Sequence, residues 1–342
     1  MTTTAPAPSR KSHRIRNLWV IIATIAGLAA ASTTTNLVIE HAERSSITPY
    51  GERVPVSHGA LNVYRTAGGR GPGATGAGAA GPGAGAGKTI VLLSGLGTAA
   101  PALDFAPLIR ELDGYNVVVV EGFGYGYSDL SAKERTVENI TAELHEALSK
   151  VNVGGPYILA GHSIAGFYTL YYANKYRTEV SAVVGIDPTI PAAGAAHPDA
   201  GAAPDGVNWG RLFSTTGLVR WASTLAPALV EPDGDAYTAA EREQMRRMTS
   251  WNFGNPAVVD EINRIAENAH KVQGLRYPDD LPVLTFLAGD EGTPPNRALH
   301  EDRLRNVGHH AVVVLSGGHY LHWTQAPAMA QKITAFLSQI PQ

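Results

Sequence analysis

The chain of 342 residues contains no cysteine. Disulfides and thiolate metal sites are therefore excluded, and the composition suits an extracytoplasmic setting without requiring one. An excess of charge is also missing, with a formal net charge of −3 and only 17% charged residues. Nucleic acid is accordingly not expected as a partner, because phosphate binding needs a basic surface. No His-x-x-x-His grouping gathers metal ligands, so the expectation is no metal and no cofactor. Gly87-Lys88-Thr89 superficially resembles the end of a phosphate-binding loop, but Pro82 stands where G-x-x-x-x-G-K-[ST] needs glycine. That segment also precedes a strand instead of joining a strand to a helix, so nucleotide binding is set aside.

What is present starts with a basic N-terminus, 1–17, holding Arg10, Lys11, Arg14 and Arg16. An uncharged segment follows at 18–39, beginning Leu-Trp-Val-Ile-Ile-Ala. A membrane span needs roughly 20 mostly apolar residues, and the basic flank before it predicts a cytoplasmic N-terminus with the remainder extracytoplasmic. Ser32, Thr33, Thr34, Thr35 and Asn36 weaken the second half. A cleaved signal peptide ending near Ala29-Ala30-Ala31 is the rival reading, and a buried core helix is a third.

Residues 50–66 pattern as a strand pair around a His58-Gly59 turn, and 67–87 is nearly all Gly, Ala and Pro, as in a flexible loop. From Thr89 strands alternate with helices. Buried strands are expected at 89–93, 116–120, 156–160 and 180–186, with helices near 105–112 and 137–151 between them. Such alternation implies a mostly parallel, doubly covered sheet. It breaks at 189–280, where an Ala/Gly/Pro-rich stretch leads into helical segments around 208–226, 238–248 and 256–272, carrying Trp209, Phe213, Trp221, Trp251 and Phe253. This region is expected to be a helical cap between two parts of one core, 50–188 and 281–342. Strands at 281–287 and 311–315 and a helix at 327–337 complete the second part.

Three chemical groups stand at strand ends. Ser163 lies in Gly161-His-Ser-Ile-Ala-Gly166, between a strand and a helix, where a sharp turn exposes a nucleophile. Asp290 follows the strand at 281–287, and His319 follows the strand at 311–315. A serine hydroxyl needs a base, and the base needs an acid to hold its tautomer. The chain order Ser, Asp, His fits that need, and catalytic groups collect at the carboxyl ends of parallel strands. Each group alone has a plainer reading, as a helix cap, a turn aspartate or a packed histidine. Asp187 also ends a strand and is the alternative acid, and Glu291 adjoins Asp290. His322 is a second candidate to line the site, His162 is expected to pack structurally, and His309-His310 reads as a solvated turn. An oxyanion hole would take the N–H of Ile164 and, from the loop Ser94-Gly95-Leu96-Gly97, that of Leu96.

These motifs resemble those of the α/β-hydrolase superfamily, specifically capped serine hydrolases, over about 50–342. Glu121-Gly-Phe-Gly-Tyr-Gly-Tyr-Ser-Asp129 resembles the family's Asp-x-x-Gly-x-Gly-x-Ser turn, with glutamate first, and Gly318-His319 resembles its histidine motif. Ser94 replaces a usual histidine, and Ala165 replaces the second glycine of G-x-S-x-G. The basic and apolar N-terminus is similar to that of membrane-anchored bacterial members. The resemblance implies a doubly covered α/β sheet with an inserted cap. It also implies a triad of Ser163, His319 and Asp290, acting on an ester, thioester or amide of a small, apolar substrate. Serine at the elbow sets this chain apart from the aspartate-nucleophile branches. A carbon–carbon bond hydrolase, a cofactor-free perhydrolase or a non-catalytic binding protein on the same fold remain the alternatives.

Overall fold

The computed structural model describes residues 10–66, 87–191, 206–232, 234–289 and 297–340. Eight strands form one sheet in the order β1-β2-β4-β3-β5-β6-β7-β8. β1 (Glu52–Val56) and β2 (Gly59–Arg65) are the strand pair at the antiparallel edge, and β2 meets β4 (Asn116–Glu121) antiparallel. From β4 onward every pairing is parallel, through β3 (Thr89–Leu93), β5 (Tyr157–His162), β6 (Val180–Ile186), β7 (Val283–Ala288) and β8 (His310–Leu315). The Gly/Ala/Pro loop expected at 67–87 lies, apart from Gly87, outside the described residues.

The central strands read as unbroken apolar runs because both of their faces are covered. Val91, Leu93, Val118, Val120 and Leu159 point into one core. Ile90, Leu92, Val117, Val119 and Ile158 point into the other. In chain order the helices begin with α1 (Arg10–Ser46), α2 (Pro101–Asp104), α3 (Ala106–Glu111), α4 (Val137–Lys150) and α5 (Ala165–Lys175). α4 and α5 supply the first core, and α3 supplies the second. On α4 and its C-cap, Leu144, Ala147, Leu148 and Val151 recur at helical spacing and are buried. Its N-terminus is capped by Thr136, which accepts from Asn139 N–H.

Between β6 and β7 the described chain is helical: α6 (Trp209–Thr215), α7 (Leu218–Leu225), α8 (Ala239–Asn252), α9 (Pro256–Asn263) and α10 (Ile265–Val272). The single segments expected at 208–226 and 256–272 are each two helices, interrupted at Gly217 and at Arg264. α8 opens on a capping box, with Thr238 and Glu241 satisfying each other's backbone N–H. α11 (Arg297–Leu304), α12 (Leu321–Thr324) and α13 (Ala326–Ser338) complete the chain, with α13 packed into the second core.

α1 runs unbroken through the segment for which an anchor, a signal peptide and a core helix compete. Its window Ile15–Ser46 is long and apolar enough to cross a membrane, and none of the most apolar stretch is buried. That removes the core-helix reading for the first half. The polar second half behaves differently. Asn36 is buried, donating to the carbonyls of Ser214 and Thr215 and accepting from Arg220 Nε at 2.8 Å. Ser32 Oγ donates to Thr216 O at 2.6 Å and accepts from Trp221 Nε1 at 2.8 Å. Glu43 accepts from the two terminal guanidinium nitrogens of Arg220, Nη1 and Nη2, and from the indole N–H of Trp251. Two of the residues that weaken the hydropathy, Ser32 and Asn36, therefore help to hold α1 against the helical insert.

Candidate active site

β5 delivers the chain to Ser163 at φ +54°, a left-handed conformation that few non-glycine residues adopt. Such a position costs roughly 1–3 kcal/mol and persists only where its surroundings enforce it. Here Ser163 N–H donates to Ile186 O at 3.1 Å, and its carbonyl accepts from Gly166 N–H at 2.9 Å and Thr189 N–H at 2.8 Å. The turn is thus tied to the end of the neighbouring strand β6 and to the start of α5.

The next residue on β6's path, Asp187, is also left-handed at φ +42°. Its N–H donates to Phe286 O at 2.9 Å, and its Oδ1 accepts from Ala288 N–H at 3.0 Å. Its Oδ2 lies 2.5 Å from His319 Nδ1. Burial opposes charge on this carboxyl, yet the bonds from His319 and Ala288 outweigh it and hold the pKa below the usual carboxylate range. With Nδ1 engaged, Nε2 is the His319 nitrogen left to act. The His319 side chain is 43% exposed, as a group that must meet a substrate requires.

Asp290 and its neighbour Glu291 lie outside the described residues. Among the described residues, the carboxylate that meets His319 is Asp187, the alternative acid, one strand nearer the nucleophile. Both aspartates satisfy the chain order and both follow a strand, so pattern alone did not separate them. β6 lies between β5 and β7, and the β7 end donates a backbone bond to Asp187.

The loop 94–97 passes close to the elbow. A side chain on Gly95 would come within 2.7 Å of His162 Nδ1 and 3.2 Å of Ser163 Cβ. Among the described residues, the N–H groups of Leu96 and Ile164 have no acceptor. Gly97 N–H donates to Tyr125 Oη at 3.3 Å; Tyr125 in turn donates to Glu261 at 2.9 Å, and Tyr168 does so at 2.5 Å. Glu261 belongs to α9, so the loop is braced from the helical insert; burial raises this carboxyl's pKa. Neither Tyr125 nor Glu261 carried a sequence signal. Glu121, at the head of the glycine-rich turn, is buried and accepts from Tyr50 Oη, Asn62 Nδ2 and the N–H of Tyr127. Its work is to hold that turn together.

Behind His319 sits a second cluster. His162 is buried, and its Nε2 is 3.1 Å from His319 O. Burial, then the nearness of His322, pushes its pKa down to about 3. His322 does not line the site. It is fully buried, with Nε2 2.7 Å from Asp104 Oδ2. Asp104 also accepts from Trp323 Nε1 at 2.8 Å. Burial disfavours its charge, but His322 overcomes that and lowers the pKa.

A cavity of about 1160 Å³ lies between the core and the helical insert. Leu96, Thr98, Tyr320 and Trp323 form its wall on the core side, and Trp209, Leu229, Phe253 and Val258 form it on the insert side. No group of three or more metal-ligating side chains occurs among the described residues.

The chain is 26% identical over 286 residues to the uncharacterized protein YbdG of Bacillus subtilis, covering 80% of this chain and 82% of that one. Its fold is similar to that of epoxide hydrolase VrEH1 from Vigna radiata, with a TM-score of 0.61 and 16% identity over 84% of this chain and 98% of that one. It is also similar to that of a membrane phospholipase A described as a bacterial virulence factor, with a TM-score of 0.57 and 17% identity over 96% and 99%. At these identities the solved structures speak for the fold alone. Residues 90–332, which hold the elbow, the Asp187–His319 pair and the 94–97 loop, match the profile of the alpha/beta hydrolase family, and the chain belongs to that family.

Proposed function

We propose that the protein is a serine hydrolase that cleaves an ester, thioester or amide through an acyl-enzyme. Ser163 Oγ attacks the carbonyl carbon while its proton passes to His319 Nε2. The N–H groups of Leu96 and Ile164 receive the developing oxyanion. His319 returns the proton to the leaving group, and water activated by the same imidazole then releases the acid. Asp187 holds the imidazole's tautomer and stabilises its charged form. α1 anchors the chain, with the basic N-terminus cytoplasmic and the hydrolase domain extracytoplasmic.

The observation that carries this reading is the 2.5 Å contact between Asp187 and His319, at the end of the strand to which Ser163 N–H is bonded. A fluorophosphonate probe tests it. The wild-type protein should be labelled and Ser163→Ala should not; folded protein that resists the probe sinks the proposal. Recovery of the intact chain in washed membranes supports the anchor, and a soluble product lacking about 30 residues would instead mean cleavage.

A further inference from the structure

Outside α1, the large apolar side chains that stay exposed are concentrated on the helical insert. Leu225 is 86% exposed and Leu229 75%, and Trp209, Leu218, Trp221 and Phe253 are also exposed; only Val314 and Tyr320 belong to other parts of the described chain. A soluble domain rarely groups such residues without a use for them. On α7, Leu218, Trp221 and Leu225 recur at helical spacing and form one stripe. That stripe is turned toward α1, since Trp221 Nε1 donates to Ser32 Oγ.

The position of that contact along α1 sets its depth. The charge-free run 18–39 is 22 residues long, or about 33 Å as a helix. A bilayer's hydrocarbon core is about 30 Å thick. Measured from Leu18, Ser32 and Asn36 lie about 21 and 27 Å along the helix axis, and any tilt brings them nearer the starting face. The insert residues bonded to them, 214–221, are therefore within about 9 Å of the far hydrocarbon boundary, on its inner side, when the helix stands along the membrane normal. Four of the exposed apolar residues, Val207, Trp209, Leu229 and Phe253, also line the 1160 Å³ cavity, whose other wall carries Leu96 and Tyr320 beside the elbow and His319.

We propose that this apolar face of the insert docks on the bilayer that α1 crosses, and that the site receives an amphiphilic lipid ester directly from that bilayer through the cavity mouth. The occupant of the face is the lipid surface: it is continuous with the span of α1, and α1's own polar contacts fix the insert at that level. The cavity exceeds the size usual for a small-molecule site, which suits an acyl chain more than an acetyl group. The substrate half of this inference rests on the serine-hydrolase reading; the docking half rests only on α1 as an anchor.

The absence of cysteine makes the test direct. The full chain is reconstituted in phosphatidylcholine vesicles containing a doxyl-labelled lipid, with bimane on Leu225→Cys, Leu229→Cys or Ser149→Cys. Ser149 is exposed near the end of α4, beside the start of β5 and so at the pole opposite the site. Quenching at positions 225 and 229 should exceed that at 149 at least threefold. Equal quenching overturns the docking, as does a dimer cross-linked through position 225 with no quenching. For the substrate, the double variant Leu218→Asp, Leu225→Asp, on the α7 stripe and outside the cavity lining, should lose at least tenfold in hydrolysis of vesicle phosphatidylcholine and stay within twofold on soluble p-nitrophenyl butyrate. A parallel loss on both substrates, no loss on either, or no vesicle hydrolysis by the wild type overturns it. If the wild type and Ser163→Ala turn over the soluble ester alike, the hydrolase reading fails, while the quenching result still decides the docking.

Discussion

Two histidines three residues apart on the chain, His319 and His322, each meet an aspartate, and the two pairs are built from the same chemistry. His319 and Asp187 meet at 2.5 Å with side chains 43% and 23% exposed. His322 and Asp104 meet at 2.7 Å with 0% and 2%. The first pair sits on left-handed Asp187 beside the left-handed elbow and leaves its imidazole partly open to solvent. The second is sealed between Phe105, Trp323 and His162, and its ring stacks at an angle on Phe105 at 4.7 Å. Residue type does not distinguish the pair proposed to react from the buried one; access does. The exposed pair carries backbone strain, whereas the sealed pair pins α2 to α12.

The contrast breaks most visibly if the pairs are disabled in turn. His319→Ala should lower ester turnover by on the order of 10⁴ or more, and Asp187→Asn by about 10³–10⁴ because the imidazole keeps its place and loses its tautomer. Urea unfolding of either variant should stay near wild type. An Asp187→Asn enzyme of nearly full activity would move the acid elsewhere, Asp290 included. Asp104→Asn should do the opposite. Removing one partner of a buried pair leaves the other uncompensated, at about 3–5 kcal/mol of stability. Active-site titration of the protein that remains folded should show turnover per site within about tenfold of wild type. If instead turnover collapses at unchanged stability, the sealed pair belongs to the chemistry.

The two pairs also differ in how far the sequence betrays them. Ser163 and His319 are legible because each follows a strand that is apolar throughout, and strand ends are where a parallel sheet gathers its chemistry. The acid is only half legible, since β6 and β7 are each followed by an aspartate, Asp187 and Asp290, and only Asp187 lies among the described residues. The Asp104–His322 pair is not legible at all: its members are 218 positions apart, and a buried aspartate in a four-residue helix looks like any turn residue. The α/β alternation gave the sheet its strands within a residue or two, while helix breaks inside the insert escaped because Gly217 and Arg264 interrupt otherwise periodic segments. Ser32 and Asn36 were visible as a defect in hydropathy. Their partners at 214–221 were not, because docking between distant segments leaves no local trace.

His162 lies between the two pairs and sharpens the contrast through pH. Its folded pKa is about 3, against about 6.5 for an exposed imidazole. Between those values the unfolded chain binds a proton that the folded chain refuses. Stability is therefore fully present above about pH 6.5 and is lost as pH falls toward 3, by up to about 1.4 kcal/mol per pH unit from this group. Urea midpoints measured from pH 7 to pH 4 should fall less steeply in His162→Gln than in wild type. Parallel slopes would mean that this imidazole is not the proton acceptor.

The smallest effect is expected beside the nucleophile, where the sequence departs from G-x-S-x-G. Ala165 is fully buried at the first turn of α5, yet the close approaches are made by its neighbours. A Cβ on Gly166 would lie 2.6 Å from Thr189 O, and one on Gly161 would lie 2.9 Å from Thr169 Cγ2 and 3.0 Å from Ala165 O. The spacing that lets α5 cross β6, and so keeps Ser163 beside Asp187, depends on the glycines at 161 and 166. Gly166→Ala should accordingly cost about 1–3 kcal/mol through overpacking and loosen the elbow enough to depress turnover. Ala165→Gly removes one methyl at a helix start, with a propensity cost of at most about 1 kcal/mol, and turnover should stay within about a factor of two. Esterase rates and melting temperatures of the two variants, measured side by side, decide the matter: if Ala165→Gly is the more damaging, the methyl packs the elbow and position 165 is a support of the exposed pair.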